Sequence, residues 1–259
     1  MSSPFRRVVI FCGPTLVGVL NLTHPLVRPP IYKVVIHHLP WWTTLHVLNL
    51  LLFSILGSAA YFLISDVRNF AALVSKIAIL VFIPFYVAFD ALAGVGTGIL
   101  VQQGSTLPSL SLAAIEPLID AYWTSPIINA IAASGSIAWV IAMLAASVAF
   151  ADANRRRIAA VVAVIIFGLG GWAQVHLFLP AVRGPIPVLW WIVTIFNALL
   201  VFLFVRPRIP ATLLTLAALL FGASHVTPTG PLGMLCLLTA AIYLQLKHDP
   251  SLDADYSKF

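Results

Sequence analysis

Trp41–Ser65 reads WWTTLHVLNLLLFSILGSAAYFLIS and holds no Asp, Glu, Lys or Arg. An uncharged run of this length exceeds the roughly 20 apolar residues that carry a helix across a bilayer. Working outward from it, similar runs occupy 8–24, 70–102, 127–150, 157–179, 186–205, 209–225 and 230–247. Proline and glycine clusters such as HPLVRPP, VRPRIP and TPTGP separate them. The expectation is an all-α, polytopic transmembrane bundle of about eight helices, the first and seventh short, forming a single domain over 1–259. The outer loop 103–126 contains a stretch that can form an interfacial helix carrying Glu116 and Asp120.

The composition supports this. Hydrophobic residues are 61% of the 259 and charged residues 8%, with mean hydropathy +1.04, whereas a soluble domain carries about a quarter charged residues. The net charge of +6 is therefore no nucleic-acid footprint. Arg6, Arg7, Arg68, Arg155, Arg156, Arg157, Arg206, Arg208 and Lys247 fall on one set of connections; Arg28, Lys33 and Arg183 fall on the other. The positive-inside rule then puts both termini in the cytoplasm and the chain in the inner (plasma) membrane of a bacterium. The N-terminal run resembles a signal peptide but has no convincing small-x-small cleavage site before Asn21, so it reads as a retained helix. Cys12 and Cys236 lie inside apolar runs and read as small packed hydrophobes.

On this topology six of the seven histidines share one side. His24 closes the first run, His46 lies one turn into the second, His176 is near the end of the fifth and His225 closes the seventh. Asn21 precedes His24 by three residues and Asn49 follows His46 by three, so each amide shares a face with its histidine and can orient the ring. Asp90 is the one carboxylate at mid-membrane depth. Tyr86, Asp90, Gly94 and Thr97 follow at helical spacing, and Gly94, Gly96 and Gly98 allow close approach of a neighbour. Gly168, Trp172 and His176 share a face of the fifth run. An ionisable group inside a span marks a functional site or a buried pair.

Imidazole suits a transition metal (Zn, Cu or Fe). His24, His46, His176 and His225 are the candidate metal ligands; Asp90 is the candidate catalytic acid or base; Asn21, Asn49, Tyr86 and Trp172 are candidate cofactor contacts. At this depth the substrate would be a lipophilic small molecule, and the enzyme a hydrolase or oxidoreductase. A b-type haem held by two of the histidines is the redox alternative. A polar network without catalysis, a small-solute or ion transporter, and a silent subunit of a membrane complex remain open. A retinal protein is excluded, because the fourth to seventh runs contain no lysine.

The set LTHP, WWTTLH, FDALAG and ASH resembles a group of uncharacterised bacterial multipass proteins that share a His-Pro after the first helix, a Trp-x-x-x-His opening the second and an Asp-x-x-x-Gly in the third. The resemblance implies a common eight-helix build and a common outer polar site, and it carries no activity. Zinc-dependent membrane hydrolases of the ceramidase type also set His and Asp within a helical bundle, but this chain lacks their paired HxxxH on the last helix.

Overall fold

The computed structural model describes residues 4–27, 29–174, 176 and 188–247. Arg28, Arg183 and His248 lie outside these, and so does most of 175–187. The described chain is all-helical: α1 Pro4–Leu22, α2 Ile31–His37, α3 Leu39–Ile64, α4 Phe70–Phe89, α5 Thr97–Gly104, α6 Ser109–Trp123, α7 Pro126–Ala149, α8 Arg156–Ala173, α9 Val188–Phe204, α10 Arg208–Ala223 and α11 Thr229–Lys247. A π-helical turn, Asp90–Gly96, joins α4 to α5 without a break, so Phe70–Gly104 forms one continuous rod.

Among the described residues, six helical segments are long and apolar enough to cross a bilayer, and α9 and α10 are shorter apolar helices. Of the two helices expected to be short, the seventh, α10, is so and the first is not. α1 starts at Pro4 and reaches 19 residues, whereas α9 has 17 and α10 has 16. Much of the outer surface is apolar, with Phe70, Val164, Val188 and Ile195 all exposed. An exterior of this kind belongs against lipid, and the chain is a multipass membrane protein. α6 lies within the expected interfacial stretch, and its Asp120 carboxylate accepts the backbone N–H of Ile31 at 2.8 Å, pinning the start of α2.

Six helices close a ring: α1 packs on α3, α3 on α4, α4 on α7, α7 on α10, α10 on α11 and α11 back on α1. With lipid outside there is little hydrophobic drive between helices, so close packing and buried hydrogen bonds hold the ring. Small residues permit that closeness. A Cβ on Gly13 would meet Ala59 Cβ at 2.9 Å, and one on Gly233 would meet the Phe221 backbone N at 2.8 Å. The interior of the ring is filled by Phe53, Phe82, Tyr86, Trp139 and Phe221, in edge-to-face and tilted contacts of 4.8–6.2 Å. Ser75 donates to Ala142 O at 2.7 Å and Trp139 Nε1 to Ala217 O at 3.0 Å, tying α4 to α7 and α7 to α10.

α8 and α9 complete a second, smaller ring on the α7–α10 edge, with α7 packed on α8, α8 on α9 and α9 on α10. The two ends of the molecule differ in chemistry. At one end Arg6 bonds Phe62 O and Asp66, Asn69 Nδ2 donates to Ala149 O at 2.9 Å, and Asp152 N donates to Arg206 O at 2.9 Å. Lys76 reaches toward the same end from within α4, donating to Ser65 O and Val67 O. The opposite end carries His24, His46 and His225, where Thr227 Oγ1 donates to Asn21 O at 3.0 Å and joins α1 to the α10–α11 turn.

Candidate functional site

His24 stands just beyond α1, His46 in the second turn of α3, and His225 just beyond α10. Residues 24, 46 and 225 meet because the ring brings these three elements to one end. The His24 ring lies 5.1 Å from His46 and 5.2 Å from His225, centroid to centroid, both edge to face. All three are buried, at 7%, 2% and 8% exposure.

Each ring is held through Nδ1 by a different partner. His24 Nδ1 is 2.8 Å from Pro25 O, His46 Nδ1 is 2.8 Å from Asp90 Oδ1, and His225 Nδ1 is 3.3 Å from Tyr86 Oη. A carbonyl only accepts, so His24 carries its proton on Nδ1; an ionised Asp90 imposes the same tautomer on His46. The Nε2 lone pairs of His24 and His46 are then free, and that of His225 is free when its Nδ1–H donates to the Tyr86 hydroxyl. The Nε2 atoms of His24, His46 and His225 are all buried without a hydrogen-bond partner, as is Asp90 Oδ2. Burial, reinforced by the neighbouring His46, draws the His24 imidazole down to about 4, although its bond to Pro25 O works the other way.

Asp90 reaches His46 because the chain widens at that residue. The π turn inserts an extra residue into the helical winding, a distortion common at functional sites. Gly94 belongs to the same turn, and a Cβ there would overlap the His46 ring. Trp42, one turn before His46, is fully buried and donates from Nε1 to Gly94 O at 2.7 Å; its ring lies 4.3 Å from that of His46. The glycines expected to allow close approach do so: Gly96 faces the Tyr122 hydroxyl and Gly98 faces Thr43 and Trp42.

The other expected residues fall elsewhere. The amides of Asn21 and Asn49 are fully buried but do not hold the rings: Asn21 Nδ2 donates to Val17 O at 2.9 Å, and Asn49 Nδ2 points to Asn21 Oδ1 at 3.5 Å. Pro25, Asp90 and Tyr86 take the orienting role that spacing suggested for the amides. His176 is not brought to the other three. It is exposed and stacks on the exposed Trp172 at 5.6 Å. The buried face of α8 runs Ala159, Val162, Ile166, Ala173, whereas His176 lies four residues after the exposed Trp172 and eight after the exposed Gly168. The face that Gly168, Trp172 and His176 share is thus the outward one.

A cavity of about 1130 Å³ opens beside the three rings, bounded by α4, α7, α8, α9 and α10. His24, His46, Asp90 and His225 line its head, and Phe89, Trp123, Phe167, Trp190, Trp191 and Leu219 line its walls. The volume exceeds that of ordinary small-ligand pockets. No family model, curated protein or solved structure matches this chain. The site therefore rests on its own chemistry. Among the described residues, no three His, Cys, Asp or Glu side chains are already arranged to hold a metal ion.

Proposed function

We propose that His24, His46 and His225 form a three-histidine transition-metal site at the head of a cavity that takes a lipophilic ligand. The observation that carries this reading is the set of three buried Nε2 atoms without partners, on rings whose Nδ1 atoms are all held. Buried polar atoms rarely go unpaired, and one cation would satisfy all three lone pairs. The spacing fits. With metal–nitrogen bonds of about 2.0–2.1 Å in tetrahedral geometry, neighbouring imidazole centroids stand about 5 Å apart, near the 5.1 and 5.2 Å observed.

Asp90 positions His46, the carboxylate–histidine–metal relay that fixes tautomer and raises ligand basicity. It also supplies negative charge against a cation. Zinc, copper or iron would contribute Lewis-acid or redox chemistry to a polar group at the head of the cavity. The geometry favours one small ion over a b-type haem. Two axial imidazoles stand on opposite faces of a macrocycle, whereas these rings meet edge to face. The arginine-bearing end belongs in the cytoplasm by the positive-inside rule, with eight spans and both termini there. The site then opens toward the outer leaflet of the bacterial inner membrane.

The test is metal content. Protein purified in detergent, loaded separately with zinc and with copper and then desalted, should retain about one ion per chain by elemental analysis. His46→Ala and His225→Ala should lose it while eluting as folded protein. Retention in both variants, or no uptake by folded wild type, overturns the reading.

A further inference from the structure

On the second ring, below the cavity, a different set of buried polar groups lacks partners. Asn197 on α9 is 0% exposed, and neither its Nδ2 nor its Oδ1 is bonded. Thr215 and Thr212 on α10 have unbonded, buried hydroxyls, and so does Arg208 at its Nε. Helical hydroxyls elsewhere in the chain bond back to the preceding turn: Thr15 to Phe11 O, Ser58 to Ser54 O, Ser134 to Ala130 O, Thr239 to Leu235 O. That local bond is the usual refuge of a Ser or Thr in an apolar helix, and Thr212 and Thr215 do not take it.

These residues are aligned. Arg208, Thr212, Thr215, Leu219 and Gly222 follow at i, i+4, i+7, i+11 and i+14, a single stripe along α10. Leu219 and Gly222 line the cavity, and Arg208 lines a separate pocket of about 410 Å³ with Asp152, Arg206 and Tyr243 at the arginine-bearing end. On the antiparallel α9, Thr194 lines the cavity and Asn197 lies one turn farther toward the arginines. α8 brings Gly170 to the same junction, where its Cβ position would lie 2.7 Å from Leu219 Cδ2 and 3.9 Å from Asn197 Nδ2. The absent side chain at Gly170 lets Leu219 pack directly against α8 beside Asn197.

The geometry points to a file of water molecules running along the α9–α10 seam, from the arginine-bearing pocket past Arg208, Thr212, Thr215 and Asn197 to Thr194 and the cavity. Successive stripe residues on α10 are separated by about 4.5–6 Å along the axis, a gap that one bridging water closes. Buried waters of this kind typically make about three hydrogen bonds to otherwise unsatisfied groups. Such a file gives the cavity a route for water and protons from the face opposite the histidines. It stands apart from the metal reading, because none of its residues touches the three rings.

Silver ions, small enough to follow water and reactive toward thiols, test it. In a Cys12→Ala, Cys236→Ala background in lipid nanodiscs, Thr212→Cys, Thr215→Cys and Asn197→Cys are exposed to silver, quenched, unfolded and labelled with a fluorescent maleimide. Ala217→Cys, as buried as Thr215 and Asn197 but on the opposite face of α10, is the control. The three file positions should lose most of their maleimide signal while Ala217→Cys keeps it. If Thr215→Cys and Asn197→Cys stay as reactive as the control, or the control is silvered equally, no file exists.

Discussion

Asp90 and His46, 44 residues apart in sequence, meet at 2.8 Å inside the bundle, with side-chain exposures of 1% and 3%. A buried pair like this carries a large desolvation cost, so its net worth lies in what it positions. The carboxylate fixes the tautomer of His46, and the π turn fixes the carboxylate.

Asp90→Asn keeps an acceptor for His46 Nδ1 and removes the charge. Zinc affinity should fall about 10- to 100-fold, the usual cost of losing an outer partner of a metal-bound histidine. Competition with a fluorescent chelator measures it. An unchanged affinity would place Asp90 outside the site's electrostatics.

Tyr86→Phe removes the hydroxyl 3.3 Å from His225 Nδ1. That contact is longer and uncharged, so the expected effect is smaller, about 1 kcal/mol or roughly fivefold in affinity. The same titration should rank Tyr86→Phe below Asp90→Asn; the reverse order would mean that Tyr86 contributes more than ring orientation.

Gly94→Ala puts a methyl group where the His46 ring lies. The ring has to leave its place, and zinc retention should drop as far as in His46→Ala. Circular dichroism should still report an intact helical protein, since the clash meets a single buried side chain near one end of the bundle.

His176→Ala should leave zinc content unchanged. The ring is exposed and paired with Trp172. A loss of metal in this variant would require a ligand set different from the one described.

Trp42→Phe deletes the 2.7 Å bond from the indole to Gly94 O. A buried carbonyl losing its partner costs about 1–3 kcal/mol. Thermal unfolding in detergent should shift down, with metal affinity also reduced because the π turn loses its clasp.

The long apolar runs told most of the architecture, because backbone groups in hydrocarbon must be satisfied internally and a helix does so with local bonds alone. The Trp41–Ser65 run corresponds to all but the ends of α3, and the Pro and Gly clusters mark real breaks. Depth was legible too: counting residues from the helix ends put His24, His46 and His225 at one level. Azimuth was not. Whether a residue faces its neighbours or lipid depends on how its helix is rotated and wound, and a π turn lies at Asp90 where α-helical spacing was assumed. At Asp90 the altered winding aims the carboxylate at His46; His176 stays on the face it shares with Trp172, and that face points outward. Asn21 and Asn49 show a related limit, since sharing a face with a histidine does not decide which group the amide bonds. Pro25 could not be foreseen, because its contribution is a backbone carbonyl, which every residue has.

The three histidines are drawn from both extremes of the chain: His24 from its first helix, His46 from the next long one, His225 from the turn before its last. A chain emerging from the ribosome N-terminus first inserts two of them, with Asp90, long before the third. The trio can be completed only when the last hairpin arrives and Thr227 latches onto the end of α1. Truncation anywhere before residue 225 therefore leaves an incomplete pair, and competence at this site serves as a certificate that the entire bundle has been built.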